Sequence, residues 1–499
     1  MIEGTLTANE AGSPDRAVGL ARISLILVVV AVGAFYVMTI RDGHEWGDDF
    51  SLYILHAKNL AEGVSYGQTG YIYNPSLGWL GPQTYPPVFP LLLSPVYKLL
   101  GLNLTAMKVE VIVVFLLSLI AIFAALRSEL PWPYLTAMIA AIGFNPFFWQ
   151  FKDNIVSDLP FLLFVYLGLF LIHSRYQVEG IGRSQNLRAL LTGLVIYFAY
   201  GTRSIGIVLL PSLVAYDLIK NRRLTAFVVK VTVITVALVA LQSIFLHSDR
   251  SYADHIGFSL GAAVRNVLDL AREFSAVIAP SSHKALRFAL FAAITGLAII
   301  GCFAKIKDRI TVFEVFLVLY LIPLIVLPIE MNVRFLAPVM PLYLVYAFLG
   351  IQTIFRGRKR GAVAMLFLLA VIFASYASCF AGLDYGPIHD GIAKKETQEF
   401  FDYVKKETGR DDILVFRKPR ALALFTGRRA SSWHQPADDQ ALWSYFRQIR
   451  ATYLVLGPKH VEAADQEYFG NFIARRQDQL QETYSNADFH VYRIKERKD

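Results

Sequence analysis

Cysteine and charge are both scarce. The 499 residues include two cysteines, Cys302 and Cys379. Each lies inside an apolar run, which excludes a disulfide framework and argues against a cysteine-based metal site. Charged residues make up 17% and hydrophobic residues 55%, where soluble domains carry roughly 25% charged. That excludes an ordinary soluble enzyme and a disordered chain, and leaves a polytopic membrane protein with some soluble mass. The formal net charge is +9. Its excess lies in the apolar part, because the tail from residue 383 is nearly balanced. Basic loops beside a membrane produce this pattern; a nucleic-acid binder would concentrate the charge on one soluble face. Membrane lipids are therefore expected partners and nucleic acid is not.

A hydrocarbon core of about 30 Å takes roughly 20 apolar residues per helix. About eleven runs approach that scale: 23–40, 107–126, 134–151, 158–173, 189–200, 206–218, 226–247, 285–304, 312–328, 335–355 and 362–383. The first is followed by the acidic stretch His44-Glu45-Trp46-Gly47-Asp48-Asp49 and not by a small-residue cleavage site, so it reads as a span. Lysine and arginine set the sidedness. With 1–22 inside, carrying Arg16 and Arg22, the basic turns at Arg127, at 175–188, at 220–223, at 305–309 and at 356–360 all fall on the same side. An odd number of spans then puts the C-terminal segment outside. The predicted organisation is a cytoplasmic tail 1–22, a membrane domain 23–383 with a long outer loop at 41–106, and a small extracytoplasmic α/β domain at 384–499. In that domain the pattern predicts helices over 394–407 and 466–483 and strands at 413–416, 453–456 and 489–494.

Polar outliers collect in the outer loops. Residues 47–63 read as a helix that opens with acids and ends at Gly63. Asp49, Tyr53 and His56 share one face of it, at i, i+4 and i+7. Tyr66, Tyr71, Tyr73, Trp79 and Tyr85 follow, an aromatic density that suits sugar rings or the lipid interface. A proline-headed apolar helix from Pro86 is expected to lie along or dip into the membrane. Asp48 and Asp49 also suit a helix N-terminus as caps, yet two adjacent carboxylates beside a bilayer are costly to desolvate.

The outer Asp-Asp, the helix end Ala57-Lys58-Asn59-Leu60 with Glu62-Gly63, and Tyr85-Pro86-Pro87-Val88-Phe89-Pro90 together resemble the GT-C superfamily of membrane glycosyltransferases. The resemblance is in the style of the bacterial protein O-mannosyltransferases and the lipid A aminoarabinose transferase. It extends to Ser157-Asp158-Leu159-Pro160-Phe161, Thr202-Arg203 and Arg334-Phe335-Leu336-Ala337-Pro338. It implies inverting transfer of a sugar from a polyprenyl-phosphate donor to a lipid, glycan or protein acceptor on the outer face of a bacterial cytoplasmic membrane. Asp49 takes the place of the catalytic base, with Asp48 beside it, and Asp158 that of the second acid. Thr84-Tyr85 stands where the aminoarabinose type carries Glu-Lys, and the tryptophan-rich signature of oligosaccharyltransferases is absent.

Such a reaction needs a base for the acceptor hydroxyl and fixed cations at the leaving phosphate. Guanidinium suits phosphate because its planar fork can hold two oxygens. The outer-side cations are Lys152, Arg203, Arg265, Arg272 and Arg334. Arg203, Arg334 and Lys152 are the candidates for the donor, and Tyr53, His56 and Tyr85 for other substrate contacts. Snorkelling from a helix end is the alternative for both arginines, and Arg334 has Glu330 one turn away. Asp158 also fits a helix start capped by Ser157, and Lys152-Asp153 a surface pair. A divalent ion between Asp49 and Asp158 is an option without the dense oxygen-ligand spacing of dedicated sites. Competing readings are a polysaccharide polymerase or ligase of another membrane class, a lipid or solute transporter, and a non-catalytic scaffold. The first expects an arginine-rich central loop, and 248–284 is only modestly basic; a transporter expects acids or unwound helices at mid-depth.

Overall fold

The structure, a computed structural model, describes residues 14–77, 82–177, 183–246, 259–280, 283–327, 332–355, 358–434, 438–458, 461 and 466–495. The first half runs α1 (Pro14–Met38), α2 (Asp49–Glu62), β1 (Tyr71–Ile72), α3 (Val88–Leu100), α4 (Leu104–Leu126), α5 (Trp132–Gly143), α6 (Pro146–Phe151), α7 (Asp158–Gln177), α8 (Arg183–Thr202), a 3-10 turn (Ser204–Val208), α9 (Leu209–Asn221) and α10 (Ala226–Phe245). Then come α11 (Leu260–Ile278), α12 (Lys284–Asp308), α13 (Val312–Val326), a second 3-10 turn (Val333–Leu336), α14 (Met340–Ile354) and α15 (Arg358–Ala381). Among the described residues seven helices are long and apolar enough to cross a membrane: α1, α4, α7, α9 with the turn before it, α10, α12 and α15. Shorter apolar helices are α3, α5, α13 and α14. Large apolar side chains stay exposed on this bundle, among them Leu27, Val233, Phe303 and Phe367. Patches of that kind are a liability in water and the expected surface in lipid.

Among the described residues, helices overlap each expected apolar run, with two departures from the expected layout. The run 134–151 is broken into α5 and α6, because the Asn145 side chain accepts from Phe147 N–H (2.8 Å) and donates to the Val277 carbonyl (2.9 Å) and the Tyr376 hydroxyl (2.6 Å). The expected outer loop 248–284 carries α11. Its Ala262, Asn266, Leu270 and Phe274 face inward at helical spacing, and Asn266 donates to the carbonyls of Ile325 and Leu327 (3.0 and 2.7 Å). Trp79 and Glu330 lie outside the described residues.

Beyond α15, the chain forms α16 (Lys395–Glu407), β2 (Ile413–Val415), α17 (Pro419–Thr426), β3 (Arg429–Ser431), α18 (Asp439–Gln448), β4 (Tyr453–Leu456), α19 (Gln466–Ala474), β5 (Leu480–Ser485) and β6 (His490–Ile494). The helix expected over 466–483 stops at Ala474. Residues from Leu480 instead form β5, an edge strand antiparallel to β6, so sheet pairing overrides local helical preference. The six-stranded sheet has the order β1-β3-β2-β4-β6-β5. β1 comes from the first loop and lies parallel to β3, Tyr71 opposite Ala430. Loop and tail also share a core: Trp46 packs edge-on or tilted against Phe401, Phe416 and Phe489 at 5.6–6.0 Å. Glu45 bridges Gly391, where a Cβ would stand 2.1 Å from the His44 carbonyl oxygen, so only glycine fits. A division at 383/384 therefore does not separate two packing units.

Loops expected on one side meet at one end of the bundle. Arg41 of the first loop donates its backbone N–H to Asp153 of the second (3.0 Å), and Lys108 donates to the carbonyls of Arg41 and Gly43 (2.6 Å each). Asp153 pairs with both Lys108 (3.7 Å) and Lys152. At the opposite end Glu129 pairs with Lys305 and with Arg309 (3.2 Å). Asp153 is thus the counter-charge for two lysines that are 1% and 0% exposed. Asp153→Ala strands both charges and is expected to cost about 3–5 kcal/mol, read as a lowered melting temperature of the detergent-purified protein.

Candidate active site

α2 ends where Gly63 adopts a left-handed φ of 71° and returns its N–H to Asn59. The Asn59 amide then ties down the carbonyls of Ser65, Tyr66 and Gln68 at 3.0–3.2 Å. This brings the following chain back along the face that carries Asp49, Tyr53 and His56, and Tyr85 reads all three. Its hydroxyl donates to Asp49 (2.7 Å). Its ring stacks on Tyr53 at 4.7 Å. Its backbone N–H donates to His56 Nε2 (3.2 Å).

Asp49 lies at the centre of the charged groups. Arg334 Nη2 donates to its Oδ2 (3.1 Å) and Arg420 Nη1 to its Oδ1 (3.3 Å). Asp158, at the head of α7, takes a short charge-assisted hydrogen bond from Arg203 Nη1, and the Arg203 guanidinium lies 4.7 Å over the Phe335 ring. Tyr53 stands by Asp158 through Ser157, whose Oγ is 2.8 Å from its hydroxyl. The order is Arg420, Asp49, Arg334, with Asp158 and Arg203 alongside. Burial opposes the charge on Arg334, but Asp158 and then Asp49 outweigh it and raise its pKa. Burial likewise opposes ionisation of Asp49. Arg334, Arg420 and the Tyr85 hydroxyl outweigh it and hold this carboxyl below the ordinary carboxylate range. Asp49 keeps 32% of its side chain exposed and Arg334 29%, so both can meet a substrate. Arg334 Nε–H is buried without a partner among the described residues.

The Arg334 turn is held from several sides. Asn332 accepts from Arg334 N–H (3.0 Å), the Tyr320 hydroxyl donates to the Phe335 carbonyl (2.8 Å), and the Tyr166 hydroxyl to that of Pro338 (2.8 Å).

Several expected roles change. Asp48 caps a helix, but not its own: its Oδ1 accepts from the N–H groups of Arg420 and Ala421 in α17 (3.2 and 3.3 Å), with no cap bond to α2. His56 is fully buried and stacked on Tyr66 at 4.1 Å. Because Nε2 accepts from Tyr85, Nδ1 must carry the proton it shares with the Tyr66 carbonyl (2.9 Å), and burial drives its pKa down to about 3. Neither nitrogen is left for substrate or metal. Lys152, expected at the donor phosphate, is 0% exposed, bound to Asp153 and 4.0 Å over the Trp149 ring; it braces the loop. Ser157 spends its hydroxyl on Tyr53. Arg265 and Arg272 lie on the exposed face of α11. Asp49 and Asp158 face guanidinium groups, and among the described residues no cluster of three His, Cys, Asp or Glu suits a metal ion, so the donor set does not fit a divalent site.

Arg420 was not expected. It is 0% exposed, donates to the Tyr85 hydroxyl (2.7 Å) and lies 4.9–5.0 Å over the rings of Tyr71 and Tyr85. A signal existed: Lys418-Pro419-Arg420 opens a helix, and a cation in the first turn opposes the helix dipole unless acids compensate.

No protein-family model matches this chain, and no curated protein matches it in sequence. Solved structures do. Oligosaccharyltransferase AglB from Archaeoglobus fulgidus, in complex with an inhibitory peptide and a dolichol-phosphate, is similar over 87% of this chain and 69% of its own, with 12% identity and a TM-score of 0.60. ArnT from Cupriavidus metallidurans, bound to undecaprenyl phosphate, is similar over 94% and 97%, with 14% identity and a TM-score of 0.58. Its apo form gives 96% and 98%, 14% and 0.57. The chain shares its fold with these GT-C glycosyltransferases, the superfamily its motifs resemble.

Burial, opposed by Arg420, pushes Asp48 up to about 6 from its ordinary 3.8. With a folded pKa above the unfolded one, Asp48 favours the folded state most below pH 3.8, and that contribution is lost as pH rises through about 6. The span corresponds to about 3 kcal/mol. Asp48→Asn keeps an oxygen for the two N–H groups and should flatten this part of the melting-temperature profile between pH 4 and 6.

Proposed function

We propose that the chain is an inverting glycosyltransferase that moves a hexosyl or pentosyl group from a polyprenyl-phosphate donor to a lipid, glycan or protein acceptor. The observation that carries this reading is the meeting of one half-exposed carboxylate, Asp49, with Arg334, beside the Asp158–Arg203 pair, at one end of an apolar bundle. A base and fixed cations for a departing phosphate are the two things the reaction needs. Similar folds that hold dolichol-phosphate and undecaprenyl phosphate add support.

In the proposed step the acceptor oxygen attacks the anomeric carbon, and the bond from that carbon to the phosphate oxygen breaks with its electron pair. Asp49 takes the acceptor proton, and the polyprenyl phosphate leaves as an anion. Arg203 and Arg334 stabilise that anion; Asp158 and Phe335 hold Arg203 in place, and Tyr53 and Tyr85 hold the Asp49 face. The depressed pKa of Asp49 keeps it ionised but makes it a weak base. A donor phosphate that draws Arg334 away would remove one of the two cations on Asp49 and raise its basicity as the reactants assemble. α3, which packs on α2 and α8, would line the groove for the isoprenoid.

The site is assigned to the outer face of a bacterial cytoplasmic membrane, with about eleven spans, the N-terminus cytoplasmic and 384–499 extracytoplasmic, on the strength of the one-sided basic loops. Ser76→Cys, at an exposed position of the first loop, should react with a membrane-impermeant thiol reagent on intact cells; protection until lysis would reverse the orientation. The catalytic test is reconstitution with radiolabelled polyprenyl-phosphate sugars. Asp49→Asn should lower transfer by about 10²–10⁴-fold with donor binding retained. Equal transfer by both proteins, or none from any donor, would defeat the mechanism.

A further inference from the structure

A cavity of about 810 Å³ lies between the back of α2, the 67–73 and 82–83 stretches and the α17–β3 corner, within the range of roughly 300–1,000 Å³ typical of ligand sites. Its lining includes Lys58, Arg428 and Arg429 and, among the described residues, no acid. Arg428 is fixed, with Nε on the Thr408 hydroxyl (3.1 Å) and Nη2 on the carbonyls of Lys405 and Thr408 (2.6 and 3.0 Å). The side chains of Lys58 and Arg429 have no hydrogen-bond or ion-pair partner among the described residues. Tyr71, Tyr73 and Gln83 add aromatic and amide residues to the lining. Rings and amides suit a carbohydrate, and three cations without a counter-charge suit an anionic one.

The cavity adjoins the reaction site through Tyr71 and Pro82, which both line it and touch Arg420, the Pro82 carbonyl 3.4 Å from Nη2. Tyr71, on its wall, lies 4.9 Å from the Arg420 guanidinium, which binds Asp49 and Tyr85. Ala423, one turn along α17 from Arg420, lines the same wall. We propose that this cavity binds an anionic glycan, a sugar chain bearing carboxylate or phosphate groups, and that it holds the body of the acceptor. Only the word acceptor rests on the glycosyl-transfer reading; the binding site stands on its own geometry.

The test is direct binding to the purified full-length protein, without donor or turnover. The probes are a fluorescent oligogalacturonate, a phosphorylated oligomannoside and a neutral oligomannoside of equal length. At least one anionic probe should bind about tenfold more tightly than the neutral one, and Lys58→Glu and Arg429→Glu should each weaken it about tenfold. Lys58→Gln, which removes the charge without reversing it, should show a smaller loss in the same direction with an unchanged melting temperature. The better anionic probe assigns carboxylate or phosphate. No binding, equal affinity for the neutral probe, or full affinity in both reversals would overturn the proposal. A wild type that binds an anionic probe but transfers sugar from no donor would sink glycosyl transfer and leave the cavity assignment standing.

Discussion

The Arg420 guanidinium is fully buried between two aspartates and two tyrosine rings. A cation out of water is costly unless its charge and its donors are met, and here they are met by groups from the first loop. Asp48 supplies a carboxylate to the same arginine and an acceptor to the N-terminus of its helix. Asp49, Tyr85 and the Pro82 carbonyl (3.4 Å) accept from the Arg420 Nη groups. The arginine comes from the tail, so loop and tail are bound by an electrostatic contact that neither could satisfy alone. The shared sheet and the burial of Trp46 rest on the same joint.

This joint shapes the carboxylate proposed as the base. Asp49 has one oxygen on Arg420 and Tyr85 and the other on Arg334. The first set is buried; Arg334 is partly exposed and has a spare donor. A carboxylate with one fixed and one displaceable cation can be oriented before substrate arrives and still change its basicity when an anion competes for the second. Asp158 and Arg203 form a more enclosed pair, 3% and 15% exposed, suited to holding a guanidinium at a set depth.

Two histidines of the first loop, Lys108 of α4 and Lys152 of the second loop show how polar groups near a site can serve the scaffold. His44 accepts from Ile155 N–H (3.3 Å) and stacks on Phe50, and His56 accepts from Tyr85 N–H. Each is a neutral backbone partner in a place where a charged one would be desolvated. Lys108 and Lys152 converge on Asp153 in the same way. Residue type suggested chemistry for His56 and Lys152; burial gives them structure.

Hydropathy, loop charge and helix periodicity are properties of neighbouring residues, so the apolar helices, the grouping of loops at two ends and the shared face of Asp49 and Tyr53 were all legible in the chain. Arg203 and Arg334 stood out because cations that open apolar runs on the outer side need a reason, and Asp49 and Asp158 through the resemblance carried by their motifs. α11 and β5 were missed because their identity depends on what they pack against, not on local preference. Arg420 was missed because its partners are about 370 residues away. Which helix Asp48 caps, which cation Asp49 meets and which face of α2 borders a cavity were decided only when the tail folded back on the first loop. Long-range pairing of buried charges follows from the packing of the whole chain, and no local pattern records it.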